Sequence, residues 1–347
     1  MNSQPEEGKM NTRKSRIGIA LALIAAMLAA TAIYVHAKQA QGNPASVAEK
    51  ENAADTIAPA VEAFPMQVAT NGRPDYMNNV EYTDSTHSRV KIAVDSSAVD
   101  LSKAGEYPVV FYAENEAGNV AQAKTSIEVI DPKEKIIYLT FDDGPSPNTP
   151  HILKILRDNG VKATFFVTAQ WPKSLPYMTQ AARDGNVVAA HSYSHNFKIY
   201  SSLDAYFADL ERIEQEIEKY TGQRTRIVRF PGGSSNHVYR RYHPGNRQWI
   251  DTLKAALLKR GYQYVDWSLD SKDADGNHVP VTTLVSSACH TYHPQMCLLM
   301  HDAAAKKTTV EALPAIIKYF KAQGYKFGTI KSTDYVCHHG EHGMWPN

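Results

Sequence analysis

The chain of 347 residues has few cysteines, almost no net charge and only one long apolar run. Its three cysteines are too few for a disulfide framework. Cys289 and Cys297 could pair across a short loop, and buried free thiols are the alternative expectation. Lysine and arginine total 37 against 36 aspartate and glutamate residues, so no basic surface points to nucleic acid as a partner. A neutral glycan would suit such a surface, and we expect the protein to be a monomer.

The apolar run covers residues 17–35 and contains no charged side chain. This length is close to the roughly 20 residues that a helix needs to cross a bilayer. Lysines and arginines precede the run, and the positive-inside rule places everything after it on the outer face. We expect residues 1–37 to be a cytoplasmic tail and a single-pass membrane anchor. A cleaved signal peptide is the alternative, because Val35-His36-Ala37 resembles a cleavage site, and the protein would then be secreted.

Two segments of different composition follow the run. Residues 38–56 lack apolar periodicity and are typical of a solvated linker. Residues 57–131 contain short β-type runs separated by turn residues, which predict a small β-sandwich. Residues 99–129 resemble bacterial immunoglobulin-like modules. The resemblance implies that this domain is a spacer, with glycan binding as the alternative. Asp131-Pro132 marks the end of the domain.

Residues 132–347 alternate between strand and helix patterns. We predict seven buried strands, at residues 136–141, 163–167, 187–190, 227–230, 262–267, 298–301 and 325–329. The clearest helix covers residues 203–220 and is preceded by a capping-box pattern at Ser201 and Asp204. Buried strands alternating with amphipathic helices imply an α/β fold with a parallel sheet. Seven strands predict a closed or nearly closed barrel.

Reactive side chains collect where these strands end, which is where barrel enzymes place their sites. Asp142 and Asp143 follow the first strand, and His191 and His195 follow the third. Two histidines four residues apart can converge on a metal, and an aspartate would complete a set of three protein ligands. Taken alone, each pair also fits a solvated turn or two surface histidines.

Three more strand ends carry Arg229, the pair Asp270 and Asp273, and His301. Any one of them could be a salt-bridged or capping residue. Because the carboxyl ends of parallel strands meet at one edge of a sheet, their joint presence predicts an active site.

These motifs, in this order, resemble the five motifs of the polysaccharide deacetylase family over about residues 135–331. Members of that family are carbohydrate esterases with a distorted (β/α) barrel. The resemblance implies that Asp142 is the general base and that Asp143, His191 and His195 bind the metal. It also implies that the metal is zinc, or another divalent cation such as cobalt or nickel.

Further roles follow from the same resemblance. Arg229 matches the arginine that orients the base, and Asp273 matches the partner of the catalytic His301. The sequence leaves Asp270 open as an alternative partner. Leu299 corresponds to the apolar residue that lines the acetyl pocket.

The chain departs from the family pattern at two positions. Gly232, after Pro231, stands where many members have a tyrosine whose backbone N–H faces the oxyanion, and glycine keeps that donor. Ala274 stands where many members have a tryptophan, which affects substrate preference more than catalysis. Tyr193 and Trp171 lie near the expected mouth and could stack on sugars, although ordinary packing is the expectation for Trp171.

The resemblance implies a metal-dependent hydrolase that removes N-acetyl groups from N-acetylglucosamine residues of a cell-wall polysaccharide. Because the domain is expected outside the cytoplasm, peptidoglycan is the first candidate substrate. The alternative substrates are chitin oligomers and poly-N-acetylglucosamine. The alternative functions are an O-acetyl esterase and a glycan-binding module without activity. The histidine-rich tail at residues 337–342 resembles a metal cluster, but we expect a surface strand end, since a structural zinc site draws ligands from two loops.

Overall fold

The computed structural model describes residues 55–331 and 337–339. The predicted membrane anchor and nearly all of the predicted linker lie outside the described residues. In the part of the chain that is described, no helix has the length and apolar character needed to span a bilayer. The described residues belong to a single structural unit.

The first part of this unit is built from β-strands and one short 3-10 helix (Tyr76–Asn79). The strands are β1 (Ala60–Ala63), β2 (Met66–Ala69), β3 (Val80–Thr83), β4 (Val90–Asp95), β5 (Gly105–Asn115) and β6 (Val120–Ile130). Strands β2, β6, β5 and β4 form one sheet in that order, while β1 and β3 form a second. Apolar side chains from both sheets pack in one core around Val109 and Phe111. The predicted strands are confirmed, and the immunoglobulin-like resemblance stays a prediction.

The second part contains eight strands in one curled, parallel sheet. They are β7 (Ile136–Asp142), β8 (Thr164–Val167), β9 (Val187–Ala190), β10 (Ile227–Val228), β11 (Gln263–Tyr264), β12 (Leu269–Asp270), β13 (Gln295–His301) and β14 (Lys326–Gly328). The order is β11-β10-β9-β8-β7-β13-β12, and β14 pairs with the first half of β7. All seven predicted strands are present. The prediction of seven is nevertheless one short, because β12 has only two residues and follows β11 too closely to show a separate apolar run.

Six helices accompany the sheet. They are α1 (Thr149–Asp158), α2 (Tyr177–Arg183), α3 (Leu203–Thr221), α4 (Trp249–Lys259), α5 (Val281–Ala288) and α6 (Lys307–Ala322). Alternate residues of β7 show how the layers form: Leu139 and Phe141 join the apolar cluster that includes the helices, whereas Tyr138 belongs to a separate inner cluster. Because β7 is buried on both faces, its sequence is almost continuously apolar.

The barrel has an opening between its two edge strands. Strands β11 and β12 stand at opposite ends of the sheet order, and the chain between them crosses the opening. Fully buried Arg229 fills this space: its guanidinium donates to the carbonyls of Val265 at 3.0 Å and Asp266 at 2.8 Å. One face of the guanidinium lies 4.1 Å from the centre of the Phe166 ring.

The β-rich part is bound to the barrel by ionic and polar contacts. Glu81 pairs with both Arg224 and Arg226, and Gln67 donates to the carbonyl of Thr329 at 3.2 Å. Since the two arginines precede β10, this contact lies at the amino ends of the barrel strands, opposite the end that carries Asp142. The expected spacer is therefore in direct contact with the barrel that follows it.

Of the two expectations for the cysteines, the structure confirms free thiols rather than a disulfide. All three cysteines are free. Cys297 is fully buried in the inner cluster on β13, while Cys289 ends α5 and packs against the outer cluster, so the sheet separates their surroundings.

The predicted start of α3 at Leu203 is confirmed, but its N-cap is one residue later than the capping pattern indicated. Ser202, not Ser201, is the N-cap, and its hydroxyl accepts from the backbone N–H of Ala205 at 3.0 Å. Leu203 is already helical, and the chain ends the helix at Gly222, whose φ is 71°.

This one-residue difference can be tested by unfolding. We expect Ser202→Ala to lower the free energy of unfolding by about 1 kcal/mol, because the Ala205 N–H loses its acceptor. Ser201→Ala is the matched control and should leave the denaturant midpoint unchanged. Equal effects of the two substitutions would contradict this cap assignment.

Candidate active site

Two carboxylates stand at the end of β7 because the chain turns sharply there. Asp142 is the last residue of the strand, and Asp143 has a φ of 69°. Neighbouring strand residues normally point to opposite faces, so this left-handed residue lets both carboxylates approach one site. The turn is close-packed, since a Cβ on Gly144 would collide with the side chain of Asp302.

The two histidines lie on the loop that follows β9. His191 Nδ1 is 2.7 Å from the carbonyl oxygen of Arg229. Because a carbonyl only accepts, Nδ1 carries the proton and the Nε2 lone pair is free for a ligand. Burial lowers the pKa of His191 to about 3, so the ring is neutral at physiological pH. His195 has a φ of 49°, and its ring lies 5.1 Å from that of His191.

The four predicted metal-site and base residues come together. Asp143 Oδ1 lies 3.6 Å from His191 Nε2 and 3.2 Å from His195 Nε2. This oxygen is buried and has no hydrogen-bond partner among the described residues. Asp142 Oδ2 is 4.0 Å from His191 Nε2. Two imidazoles and one carboxylate are a common ligand set for zinc, and an unpartnered carboxylate oxygen aimed at them fits a divalent cation.

Asp142 is held from inside the barrel. Arg229 donates to its Oδ1 at 2.8 Å and to the hydroxyl of Thr140, on the same strand, at 2.7 Å. Burial raises the pKa of Asp142, and the charge of Arg229 opposes that rise. The carboxylate thus has one oxygen fixed and the other facing the histidines.

His301 ends β13, directly opposite Asp142 in the strand register. Its Nδ1 lies 2.7 Å from Asp273 Oδ1, and its backbone N–H donates to Oδ2 of the same carboxylate. Asp270 instead contacts Lys272. Asp273 is therefore the partner of His301. Burial lowers the pKa of His301, but the hydrogen bond and charge of Asp273 outweigh it and raise that pKa to about 9.

Leu299 lies two residues before His301 on β13 and therefore points to the same face of the strand. Its side chain is buried, at 4% exposure, yet it belongs to none of the apolar clusters. This position is compatible with the lining of a small apolar pocket.

A turn at residues 231–235, which we call the glycine turn, follows β10. Gly232 is exposed with a φ of 82°, and no described residue accepts its backbone N–H. The carbonyl of Pro231 accepts from the Tyr200 hydroxyl at 2.8 Å. A Cβ on Gly232 would lie 3.8 Å from the ring of Phe197, which also contacts His195, so the turn borders the metal ligands.

The aromatic residues expected at the mouth differ in their surroundings. The guanidinium of Arg212 lies 3.7 Å from the centre of the Tyr193 ring, so one face of that ring is already covered. Trp171 is 40% exposed, which contradicts the expectation that it is ordinarily packed. Ala274 is exposed beside Asp273.

Sequence reasoning missed Asp209, a buried residue on α3. Its carboxylate accepts from the Ser192 hydroxyl at 2.5 Å and from the backbone N–H groups of Tyr193 at 2.7 Å and Ser194 at 3.1 Å. Ser192 Oγ in turn accepts from the N–H of His195 at 2.9 Å. An aspartate beside the apolar stripe of a helix was the signal available in the sequence. Asp209 holds the loop between the two histidine ligands.

Asp302, which follows His301 at the end of β13, received no role from the sequence. It is fully buried, accepts from the Thr149 hydroxyl at 2.5 Å, and donates its own N–H to the carbonyl of Asp142 at 2.7 Å. Burial raises the pKa of its carboxyl to about 8. Asp302 thereby fixes the turn that carries Asp142 and Asp143.

The expectation of a surface strand end at the tail is wrong for its described residues. Cys337 is 3% exposed, and the ring of His338 stacks on that of Tyr264 with centroids 3.9 Å apart. The aromatic and thiol side chains pack against the opening of the barrel, because that opening leaves apolar surface uncovered by strands.

Removing the side chain of Asp209 should weaken the metal site. We expect Asp209→Ala to lower zinc affinity about tenfold or more, because three donors of the ligand loop lose their acceptor. Competition with a chromophoric chelator measures the affinity. Asp204→Ala, on the exposed first turn of the same helix, is the control, and equal affinities of the two variants would show that Asp209 does not hold the loop.

Comparisons with known proteins agree with this geometry. A family profile described as polysaccharide deacetylase matches residues 130–243. A peptidoglycan-N-acetylglucosamine deacetylase of Bacillus cereus is 31% identical over 221 residues, which are 61% of this chain and 76% of the relative. A peptidoglycan-N-acetylmuramic acid deacetylase of Bacillus subtilis is 30% identical over 208 residues, covering 57% of this chain and 71% of the relative.

A solved structure is also similar. The catalytic domain of a peptidoglycan N-acetylglucosamine deacetylase from Eubacterium rectale matches with a TM-score of 0.58 and 37% identity, covering 62% of this chain and 96% of that one. With these relatives covered over most of their length, the chain belongs to the polysaccharide deacetylase family.

Proposed function

We propose that the protein removes N-acetyl groups from N-acetylglucosamine residues of a cell-wall polysaccharide, with peptidoglycan as the first candidate. One observation carries this proposal: a ligand set of Asp143, His191 and His195 lies at the same end of the barrel as a carboxylate held by Arg229 and a histidine held by Asp273. The named activities of the relatives support the choice of substrate class.

The chemistry needs a nucleophile, a place for negative charge and a proton for the leaving amine. Bound at the ligand set, zinc or another divalent cation would act as a Lewis acid and lower the pKa of water. Asp142 is placed to take a proton from the attacking water, since its Oδ2 faces the ligands while Arg229 holds Oδ1. Arg229 keeps the Asp142 carboxylate oriented, which suits it to act as the base.

The other two tasks fall to Gly232 and His301. The Gly232 N–H is available to donate to the oxygen on which negative charge develops. His301, whose pKa is raised to about 9, is protonated at neutral pH and can protonate the amine as the C–N bond breaks. Leu299 lies beside His301 on β13 and would contact the acetyl methyl group.

We further propose that the enzyme works outside the cytoplasm, attached by the apolar run at residues 17–35. The support is the sequence alone, with its basic residues before the run. The β-rich part, for which we propose an immunoglobulin-like fold, would then serve as a structural support rather than a flexible spacer, since Glu81 ties it to the barrel through Arg224 and Arg226.

An O-acetyl esterase is the second candidate, because the same residues could cleave an ester. Mass analysis of peptidoglycan and of chitin oligomers, before and after treatment with the full-length protein, separates the two. N-deacetylation creates free amines in the same amount as released acetate, whereas ester cleavage releases acetate without amines.

Asp142→Asn tests the assignment of the base. We expect kcat to fall at least about 100-fold, because the amide cannot take the proton, while bound zinc measured by elemental analysis stays at one equivalent. Asp270→Asn makes the same chemical change at a carboxylate that pairs with Lys272, and it should keep full activity. Substantial turnover by the Asp142 variant would reject the assignment.

Asp273→Asn tests the role of His301 through the pH dependence. The pKa of His301 is raised by the Asp273 carboxylate, so His301 loses its proton as pH rises through that value, and activity falls with it. Without the charge of Asp273 the pKa drops, and we expect the alkaline limb of kcat to move down by about one pH unit or more.

The exposed neighbour Asp275 provides a control for this shift, as Asp275→Asn changes net charge equally. A bound cation acts on all three proteins alike, so the comparison is between their alkaline limbs. A limb that stays in place in the Asp273 variant would exclude His301 as the general acid.

A further inference from the structure

The described C-terminal residues lie beside the glycine turn. This C-terminal segment (residues 337–339) is attached to the barrel through the carbonyl of Cys337, which accepts from the backbone N–H of Asp266 at 2.7 Å. His338 Nε2 lies 3.0 Å from the carbonyl oxygen of Tyr264. The segment therefore runs along the opening of the barrel, next to β11.

One carboxylate joins the C-terminal segment to the glycine turn. Asp266 is fully buried, and it accepts from the backbone N–H of Ser234 at 2.7 Å and from that of His339 at 2.9 Å. The hydroxyl of Ser234 also donates to it. A buried carboxylate with three donors is a fixed point, because moving either segment would leave its charge unsatisfied.

The side chain of His339 contacts the turn directly. Its Nδ1 lies 2.8 Å from the hydroxyl of Ser235. A Cβ built on Gly233 would lie 2.9 Å from His339 Cε1 and 2.9 Å from the Trp267 ring, so only glycine fits between these rings. Three consecutive residues of the turn, Gly233, Ser234 and Ser235, are thus held from the same side.

Such support matters because the turn contains two adjacent glycines. Gly232 and Gly233 have φ values of 82° and 77°, and glycine is the residue with the most backbone freedom to lose. A donor aimed at developing charge is effective only when its position is fixed beforehand. An error of about 1 Å in such a position can cost about 100-fold in rate.

We propose that His339 is a positioning residue, which together with Asp266 fixes the glycine turn so that the Gly232 N–H meets the developing oxyanion. This proposal rests on the proposed deacetylase function. It assigns a role in the reaction to a segment that follows the last strand of the barrel and contributes no residue to the ligand set.

The first test separates positioning from substrate binding and from folding. In the full-length protein, His339→Ala should lower kcat about tenfold and leave KM and zinc affinity unchanged. His339→Asn should restore most of kcat, because the amide can again hydrogen-bond to the Ser235 hydroxyl. His290→Ala, at an exposed histidine, is the control for the loss of an imidazole. An unchanged kcat, or a rise in KM alone, would overturn the proposal.

Ser235→Ala removes the same hydrogen bond from the other side at an exposed position that tolerates a small change. The fall in kcat should equal the part of the His339→Ala effect that comes from losing this hydrogen bond. The double variant that carries both substitutions should have a kcat no lower than that of His339→Ala. Losses that multiply in the double variant would show that the two residues act independently and would overturn the proposal.

Hydrogen exchange tests the structural link without any activity. Amide exchange measured on the peptide that contains residues 231–235 should speed up in His339→Ala and return in His339→Asn. Unchanged exchange would overturn the link. If the unaltered protein releases no acetate, the proposed function fails and so does the catalytic role of His339, while the exchange experiment still decides whether His339 holds the turn.

Discussion

The buried guanidinium of Arg229 is the interaction on which the site depends. Its side chain bonds to Asp142, to Thr140 and to the two carbonyls of the segment that crosses the barrel opening. Its own backbone carbonyl receives the Nδ1–H of His191. A charge without solvent is tolerated only when its hydrogen-bonding groups are satisfied, so the barrel opening, Asp142 and His191 are fixed together. Each of them constrains the other two.

Much of the barrel could be predicted because the sequence features that specify its strands and strand ends are local. Strands buried on both faces give continuous apolar runs, and the motifs at their ends follow directly in sequence, so Asp142, Asp143, His191 and His195 were found without coordinates. The two-residue strand β12 could not be, because its pairing with β13 comes from the curl of the sheet and leaves no run of its own.

The residues that the sequence did not reveal act through contacts between distant segments. Asp209 lies on a helix and Asp302 follows a strand, and neither carries a motif that distinguishes it from an ordinary surface carboxylate. Their roles follow from burial against backbone N–H groups and hydroxyls that only the tertiary structure brings near. The sequence alone also could not decide between Asp270 and Asp273. The two residues are only three positions apart, and the tertiary structure determines which of the two carboxylates points into the site.

The left-handed backbone at Asp143 and His195 limits which residue types can replace them during evolution. Few side chains tolerate such φ values, and those that do best besides glycine are asparagine, aspartate and histidine. Two of these are strong metal ligands, so the demands of the chain and of the cation select overlapping sets of residues. Asparagine at both positions would keep the left-handed backbone while removing two of the three ligands of the proposed metal site.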